Sequence, residues 1–252
     1  MSLKLISFDV WDTLIIDDSD EEYRKENNLP SKSDERTQLY RSFYSPLVPS
    51  LEFIDQSIIH MNEAFNVNWK KKHNTPAVRW RVNQIEKFLG KTQGKPIILK
   101  ENLKCDLINQ LEQMELKYPI KQMPGALDFL ERVSKSSPNI KFGIISDAIY
   151  SPGKVIRQIL KKHGALDYFS YFAFSDEVGA SKPSGKIFSH LSEAAQVKPE
   201  EMVHIGDRKV NDILGANKFG SNGILCTVNK VEKDLKDFKY KFDRFENLDE
   251  IL

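Results

Sequence analysis

The feature that most limits the fold is an alternation of short aliphatic runs with segments of helical period. It occupies the first few residues and the second half of a 252-residue chain, with a long stretch of different character between. Leu5 to Val10, Lys141 to Ser146, Met202 to Gly206 and Gly223 to Val228 are rich in β-branched and aliphatic residues and bounded by Gly, Asp or Ser, the pattern of buried strands. Between them Gly125 to Ser134, Pro152 to Lys162, Ser184 to Ala195 and Val210 to Phe219 repeat their apolar residues at helical spacing. Strands alternating with helices predict βαβ units, and hence a parallel sheet with helices on both faces. Tyr171 to Ser175 is expected to add a strand, and Tyr240 to Leu252 a short edge strand and a last helix.

Residues 16 to 120 are strongly charged, rich in aromatics and nearly free of such runs, with helical period around Leu51 to Phe65, Ala77 to Leu89 and Leu99 to Leu116. This stretch is expected to be a smaller α-helical domain inserted into the α/β domain, which is then formed by residues 1–15 and 121–252. The boundaries fall in the acidic DDSDEE run after Ile16 and around YPIKQMPG, where Pro119, Pro124 and Gly125 punctuate the chain. WKKKH at residues 69 to 73 reads as a solvated helix face.

Lysine plus arginine nearly balance the acids, leaving a formal charge of +1. No global field then draws the chain to nucleic acid or an anionic membrane. Cys105 and Cys226 lack metal-ligand or CxxC spacing, as expected in a reducing compartment. The apolar stretch of MSLKLISFDVWDTLIIDD is too short and too interrupted by acids for a secretion signal, and no window approaches membrane-spanning length. A cytoplasmic protein is expected; oligomeric state is not legible.

In a parallel α/β sheet, ligands bind beyond the carboxyl ends of the strands. There the sequence places Asp9, Ser146 and Asp207, with Lys182 in the loop after the Tyr171 strand. A carboxylate, a hydroxyl, an ammonium and a second carboxylate at one edge suit a phosphoryl group handled with a divalent cation: Asp9 as nucleophile, Mg²⁺ between Asp9 and Asp207, Ser146 on the phosphoryl oxygens and Lys182 against the transition-state charge. Each residue alone also fits a capping or loop role.

The ordered set FDVWDTL, IISDA, GASKPSGKIF and HIGDRKVNDILGANKFG resembles the four motifs of the haloacid dehalogenase-like hydrolase superfamily. The resemblance implies a Rossmann-like doubly wound core with a mobile helical cap, a nucleophile at Asp9, Ser146 and Lys182 as catalytic and substrate-binding residues, and Mg²⁺ held by Asp9, Asp207, Asp212 and the main-chain carbonyl of Trp11. Its substrate would be a small phosphorylated metabolite. Family phosphatases usually carry a second aspartate two residues after the nucleophile to protonate the leaving oxygen; here that position is Trp11, followed by Asp12. Such an acid contributes roughly 10² to 10⁴ in rate, so its loss penalises alkyl phosphates more than aryl or acyl phosphates. Two alternatives stand beside the phosphatase. One is a binding or scaffold protein of the same fold. The other is a metal-independent 2-haloacid dehalogenase, since dehalogenases of the superfamily carry a bulky aromatic at the Trp11 position.

Asp147 and Arg208 flank motif residues, and Asp176 with Glu177 precede the motif lysine as candidate partners for it. Trp69, Trp80 and Arg81 are expected either to line a pocket or to pack the insert, and His204, inside a strand, to be a satisfied core histidine.

Overall fold

A computed structural model describes residues 3–229, 238 and 240–251. The first strand, β1 (Leu5–Phe8), stops where the chain turns at Asp9. Five α-helices follow: α1 (Asp20–Glu26), α2 (Lys32–Tyr44), α3 (Leu51–Asn66), α4 (Val78–Gln93) and α5 (Glu101–Glu112). The chain then returns through α6 (Ala126–Ser136), β2 (Lys141–Ser146), α7 (Gly153–Lys162), β3 (Phe169–Phe174) and the short α8 (Ser175–Val178). It ends with α9 (Gly185–Ala195), β4 (Met202–Gly206), α10 (Gly215–Phe219), β5 (Asn222–Cys226) and β6 (Lys241–Phe242), then a 3-10 turn over Phe245–Glu250. The end of the expected last helix, Leu252, lies outside the described residues.

All strand pairs are parallel and the sheet order is β3-β2-β1-β4-β5-β6. β1 is central, with Leu5 opposite both Lys141 of β2 and Met202 of β4. The chain winds outward from β1 to β3, then crosses back to β4 on the other side. That reversal opens a crevice at the carboxyl ends of β1, β2 and β4.

Alternation along the strands divides the core. Ile6, Phe8, Ile144 and Ile205 face α6 and α7, which bury Phe129, Leu130, Val133, Val155, Ile156 and Ile159. Phe8 meets Phe129, Phe142 and Phe169 edge-on at 6.0–6.1 Å. Leu5, Ile145 and Met202 face Ile187, Phe188 and Leu191 of α9. The helical insert has its own apolar cluster, from Tyr40 and Ile54 through Val82 and Leu89 to Leu107 and Met114. Both of its connections pass side by side: Ile16 N–H donates to Lys121 O at 2.9 Å and Met123 N–H to Leu14 O at 2.8 Å. No helix among the described residues is long and apolar enough to cross a membrane.

Two differences from the expected elements have physical causes. Helices α1 and α2 escape an apolar-period reading because their sequences, DEEYRKE and KSDERTQLYRSFY, are dominated by charge. Caps and ion pairs support both: the Ser31 hydroxyl accepts from Asp34 N–H at 3.1 Å, and Arg24 Nε donates to Asp20 at 2.7 Å, while α2 also buries Tyr40 and Tyr44 in the insert's apolar cluster. The helix expected over Val210–Phe219 starts as a wide π-type stretch, Lys209–Leu214, before α10. The wide turn lets the Asp212 carboxylate reach back to the N–H of Arg208 at 2.8 Å, as such widened turns do at functional sites.

Candidate active site

Asp9, Ser146 and Asp207 lie at or just beyond the carboxyl ends of β1, β2 and β4, and the turn after α8 brings Lys182 to the same edge. The Lys182 ammonium, on a residue 2 % exposed, lies 3.0 Å from Asp9 Oδ1 and pairs closely with Asp212 Oδ1. Burial alone would lower its pKa. The carboxylates of Asp212, Asp9 and Asp147 overcome that and hold it above the ordinary lysine value.

Asp212 is wholly buried, and both of its oxygens are engaged. Oδ1 faces Lys182 and His204 Nε2 at 3.2 Å, and Oδ2 accepts from the Arg208 N–H. Burial would raise its pKa, but the Lys182 charge and the His204 hydrogen bond carry it well below the usual carboxylate range. His204 is the satisfied core histidine expected: burial favours its neutral form despite Asp212. A neutral ring donating from Nε2 to Asp212 accepts at Nδ1 from the Ser7 hydroxyl, 2.9 Å away. Gly206 is required here, because a Cβ would sit 2.3 Å from Asp212 Cγ.

Asp207 is the contrasting member. Burial first, then the neighbouring charges of Asp9 and Asp212, push its carboxyl up to about 8, and among the described residues its Oδ1 has no hydrogen-bond partner. Oxygens of Asp9, Asp207 and Asp212 lie within 4.8 Å of one another. A buried carboxylate cluster with an orphaned oxygen is the donor set of a hard divalent cation, so these residues fit Mg²⁺. Asp9 and Asp207 have the freer oxygens.

In front of this cluster lies a cavity of about 300 Å³. Its core wall includes Asp9, Trp11, Asp147, Lys182, Arg208 and Asn211; its insert wall includes Asp17, Asp18, Lys32, Arg36 and Glu115. Ser146 ends β2 fully buried with its Oγ unpaired and is not on that wall; Asp207 and Asp212 also lie off it. Trp11 is half-buried on the wall. Asp12, in a left-handed turn at φ 54°, points its carboxylate at the Asp17 N–H (3.2 Å) and Asn229 Nδ2 (2.8 Å), a turn-holding role.

Asp147 joins core to insert. Its Oδ1 accepts from Lys182 N–H at 3.0 Å and its Oδ2 from Trp69 Nε1 at 3.0 Å. Burial raises its pKa, in part offset by the Lys182 charge and the Trp69 hydrogen bond. The WKKKH stretch is therefore only half a solvated face: Lys70, Lys71 and Lys72 are exposed, while Trp69 turns to the site. Arg81 packs between the Phe65 and Tyr150 rings at 3.4 and 4.0 Å, while Trp80 sits against Phe65 at 6.4 Å. Asp176 and Glu177 do not pair with Lys182: Asp176 accepts from the Gly153 N–H and Glu177 pairs with Arg157, 3.0 Å from Nη2, fastening α7. Sequence reasoning missed the insert wall altogether. The acidic run after Ile16 was visible as a boundary, but nothing in it signals that Asp17 and Asp18 face Lys32.

The haloacid dehalogenase-like hydrolase family profile matches residues 3–220. The chain belongs to that family. Among curated relatives, the glyceraldehyde 3-phosphate phosphatase of Pyrococcus furiosus is 35 % identical over 48 % of this chain and 49 % of its own length. The chain thus spans about half the length of that relative. Two solved structures share the fold across nearly the whole molecule. One is a HAD phosphatase from Thermococcus onnurineus (TM-score 0.62, 21 % identity, covering 100 % of this chain and 97 % of the other). The other is a 2-haloacid dehalogenase from Pseudomonas syringae (0.66, 17 %, 99 % and 97 %). The fold thus accommodates both chemistries, and the choice between them rests on the residues of the site.

Proposed function

We propose that this chain is a Mg²⁺-dependent phosphatase of small phosphorylated metabolites that works through an aspartyl-phosphate on Asp9, with residues 16–120 acting as a cap on a core formed by residues 1–15 and 121–252. The observation that carries the reading is the cluster of Asp9, Asp207 and Asp212, which bring a carboxylate oxygen each within 4.8 Å of one another, with Asp207 Oδ1 left without a hydrogen-bond partner among the described residues. That surplus negative charge calls for a cation, and a dehalogenase acting without metal has no use for it. Asp9, Asp207, Asp212 and the Trp11 carbonyl would hold Mg²⁺, which when bound neutralises phosphate charge. The Asp9 carboxylate attacks phosphorus, the bond to the leaving oxygen breaks, and water later opens the acyl phosphate. Ser146 offers its unpaired Oγ to a phosphoryl oxygen from behind the cavity wall, and Lys182 offsets charge in the transition state while keeping Asp9 oriented. The cavity of about 300 Å³ suits a small substrate, in keeping with the triose phosphate in the name of the Pyrococcus relative.

With Trp11 where the family places an acid, leaving groups that depart as stable anions are preferred. The test is phosphate release from an activated aryl phosphate with and without Mg²⁺. Asp9→Asn is expected to lower multiple turnover by about 10³-fold or more; full Mg²⁺-dependent turnover in that variant overturns the reading. Trp11 on the cavity wall is the observation that favours the haloacid alternative, and halide release from a 2-haloacid in the presence of a chelator would select it.

A further inference from the structure

Four cations line the cavity wall: Lys32, Arg36, Lys182 and Arg208. Three have their charge answered on the spot. Lys182 lies between Asp9 and Asp212, Lys32 lies 2.9–3.1 Å from Asp18, Asp20 and Glu115, and Arg36 lies 3.4 Å from Glu115. Arg208 differs. Among the described residues its guanidinium makes no ion pair and no side-chain hydrogen bond, although the more distant carboxylates of Asp9, Asp207, Asp212 and Asp147 favour its charge against burial. Its position is nonetheless built. Its N–H is fixed to Asp212 Oδ2 at 2.8 Å, and its guanidinium lies 5.5 Å from the centre of the Trp69 ring. That ring is itself anchored through Nε1 to Asp147. A charged, planar fork of donors with no acceptor, held against an aromatic face and turned to a cavity beside a nucleophile, is arranged to receive an oxyanion.

Resting on the phosphatase reading above, we propose that Arg208 is a further catalytic residue that grips the transferring phosphoryl group, and that Trp69 of the insert is the positioning residue that presents it. As Asp9 attacks and the bond from phosphorus to the leaving oxygen breaks, the bonding pair passes to that oxygen. Arg208 donates hydrogen bonds to the growing charge and keeps its own proton. It therefore softens the absence of an acid at Trp11 without replacing it. Because Trp69 belongs to the insert, the grip is complete only when the insert packs against the core.

Orthovanadate, which takes up the trigonal shape of a phosphoryl group in transfer, separates this proposal from turnover. Its binding to the full chain in Mg²⁺ is measured by calorimetry. Arg208→Ala is expected to weaken it tenfold or more and Arg208→Lys by less. Trp69→Ala should weaken it several-fold, while Trp69→Phe, which keeps an aromatic face for Arg208 but loses the Nε1 anchor on Asp147, should weaken it by less; a loss unrelated to the aromatic face would be the same in both. Binding to Arg208→Ala within twofold of wild type, or no binding to the wild type, overturns the role of Arg208. An unaffected Trp69→Ala overturns the role of Trp69. Loss of vanadate on Arg208→Ala in a chain without Asp9-dependent turnover would uphold the oxyanion grip while the phosphatase reading fails.

Discussion

Two buried lysines face each other across one cavity. Lys182, in the core, is enclosed by Asp9, Asp212 and Asp147; Lys32, in the insert, by Asp17, Asp18, Asp20 and Glu115. Both are almost fully buried, and in both the surrounding carboxylates raise the pKa against burial. The difference lies in what surrounds each pair. Around Lys32 the acids have further cations: Arg24 binds Asp20 and Glu35, Arg36 reaches Glu115, and Lys117 pairs with Glu35. Around Lys182, among the described residues, no second lysine or arginine comes within ion-pairing distance of those acids, and Asp207 is left with an unpaired oxygen. A network in which every acid has a cation within ion-pairing distance, as Asp17, Asp18, Asp20 and Glu115 do, holds parts together, whereas one with an acid that has none binds something from outside. On this view the Lys32 cluster is a joint and the Lys182 cluster is a site.

The sharpest way to break the comparison is to remove each lysine. Lys182→Met and Lys32→Met each strand buried carboxylates and are expected to cost about 3–5 kcal/mol of stability, measured by urea unfolding. Only the first should also abolish Asp9-dependent turnover at a temperature where both variants are folded. Equal loss of turnover in both would erase the distinction between joint and site.

The remainder charge gives a pH signature of intermediate size. Asp207, pushed from 3.8 up to about 8, keeps a proton in the folded chain that the unfolded chain releases between those values. Its contribution to stability without metal is therefore full below about pH 4 and lost as pH rises through about 8. Mg²⁺ competes with that proton, so the rise in Tm on adding Mg²⁺ should be larger at pH 8.5 than at pH 6. Asp207→Asn should remove most of that rise; a Mg²⁺ shift independent of pH and of Asp207 would argue against the site. The smallest effect concerns Asp12. Asp12→Ala loses bonds to Asp17 and Asn229 and should cost about 1–2 kcal/mol, while aryl phosphate turnover stays within a few-fold. A loss of 10²-fold would make Asp12 the missing acid.

The core was legible because its signals are local. β2 and β4 run from Lys141 to Ser146 and Met202 to Gly206, as expected, since a parallel strand buried on both faces is a continuous apolar run ended by a polar residue. Asp9, Lys182 and Asp212 come together at the edge where strand order reverses, and that edge follows from the alternation of elements. The insert was legible only where a helix buries an apolar stripe, as α3 and α4 do. Lys32, Arg36 and Glu115 could not be read as a wall, because their partners are as many as 83 residues away along the chain and charged residues carry no periodic signature of burial. Ser7 was hidden for a related reason: in a strand, one hydroxyl that supports a histidine looks like any small inward residue.

The adjacent crossings at Leu14 to Ile16 and Lys121 to Met123 make the insert a graft with a single socket. A unit that leaves and re-enters the core within roughly one strand spacing, about 4.8 Å, imposes no length on what lies between. Chimeras that join a different helical module at these two points should leave the register of β1 and β2 intact, so one anchor can carry interchangeable helical modules above the same strand ends.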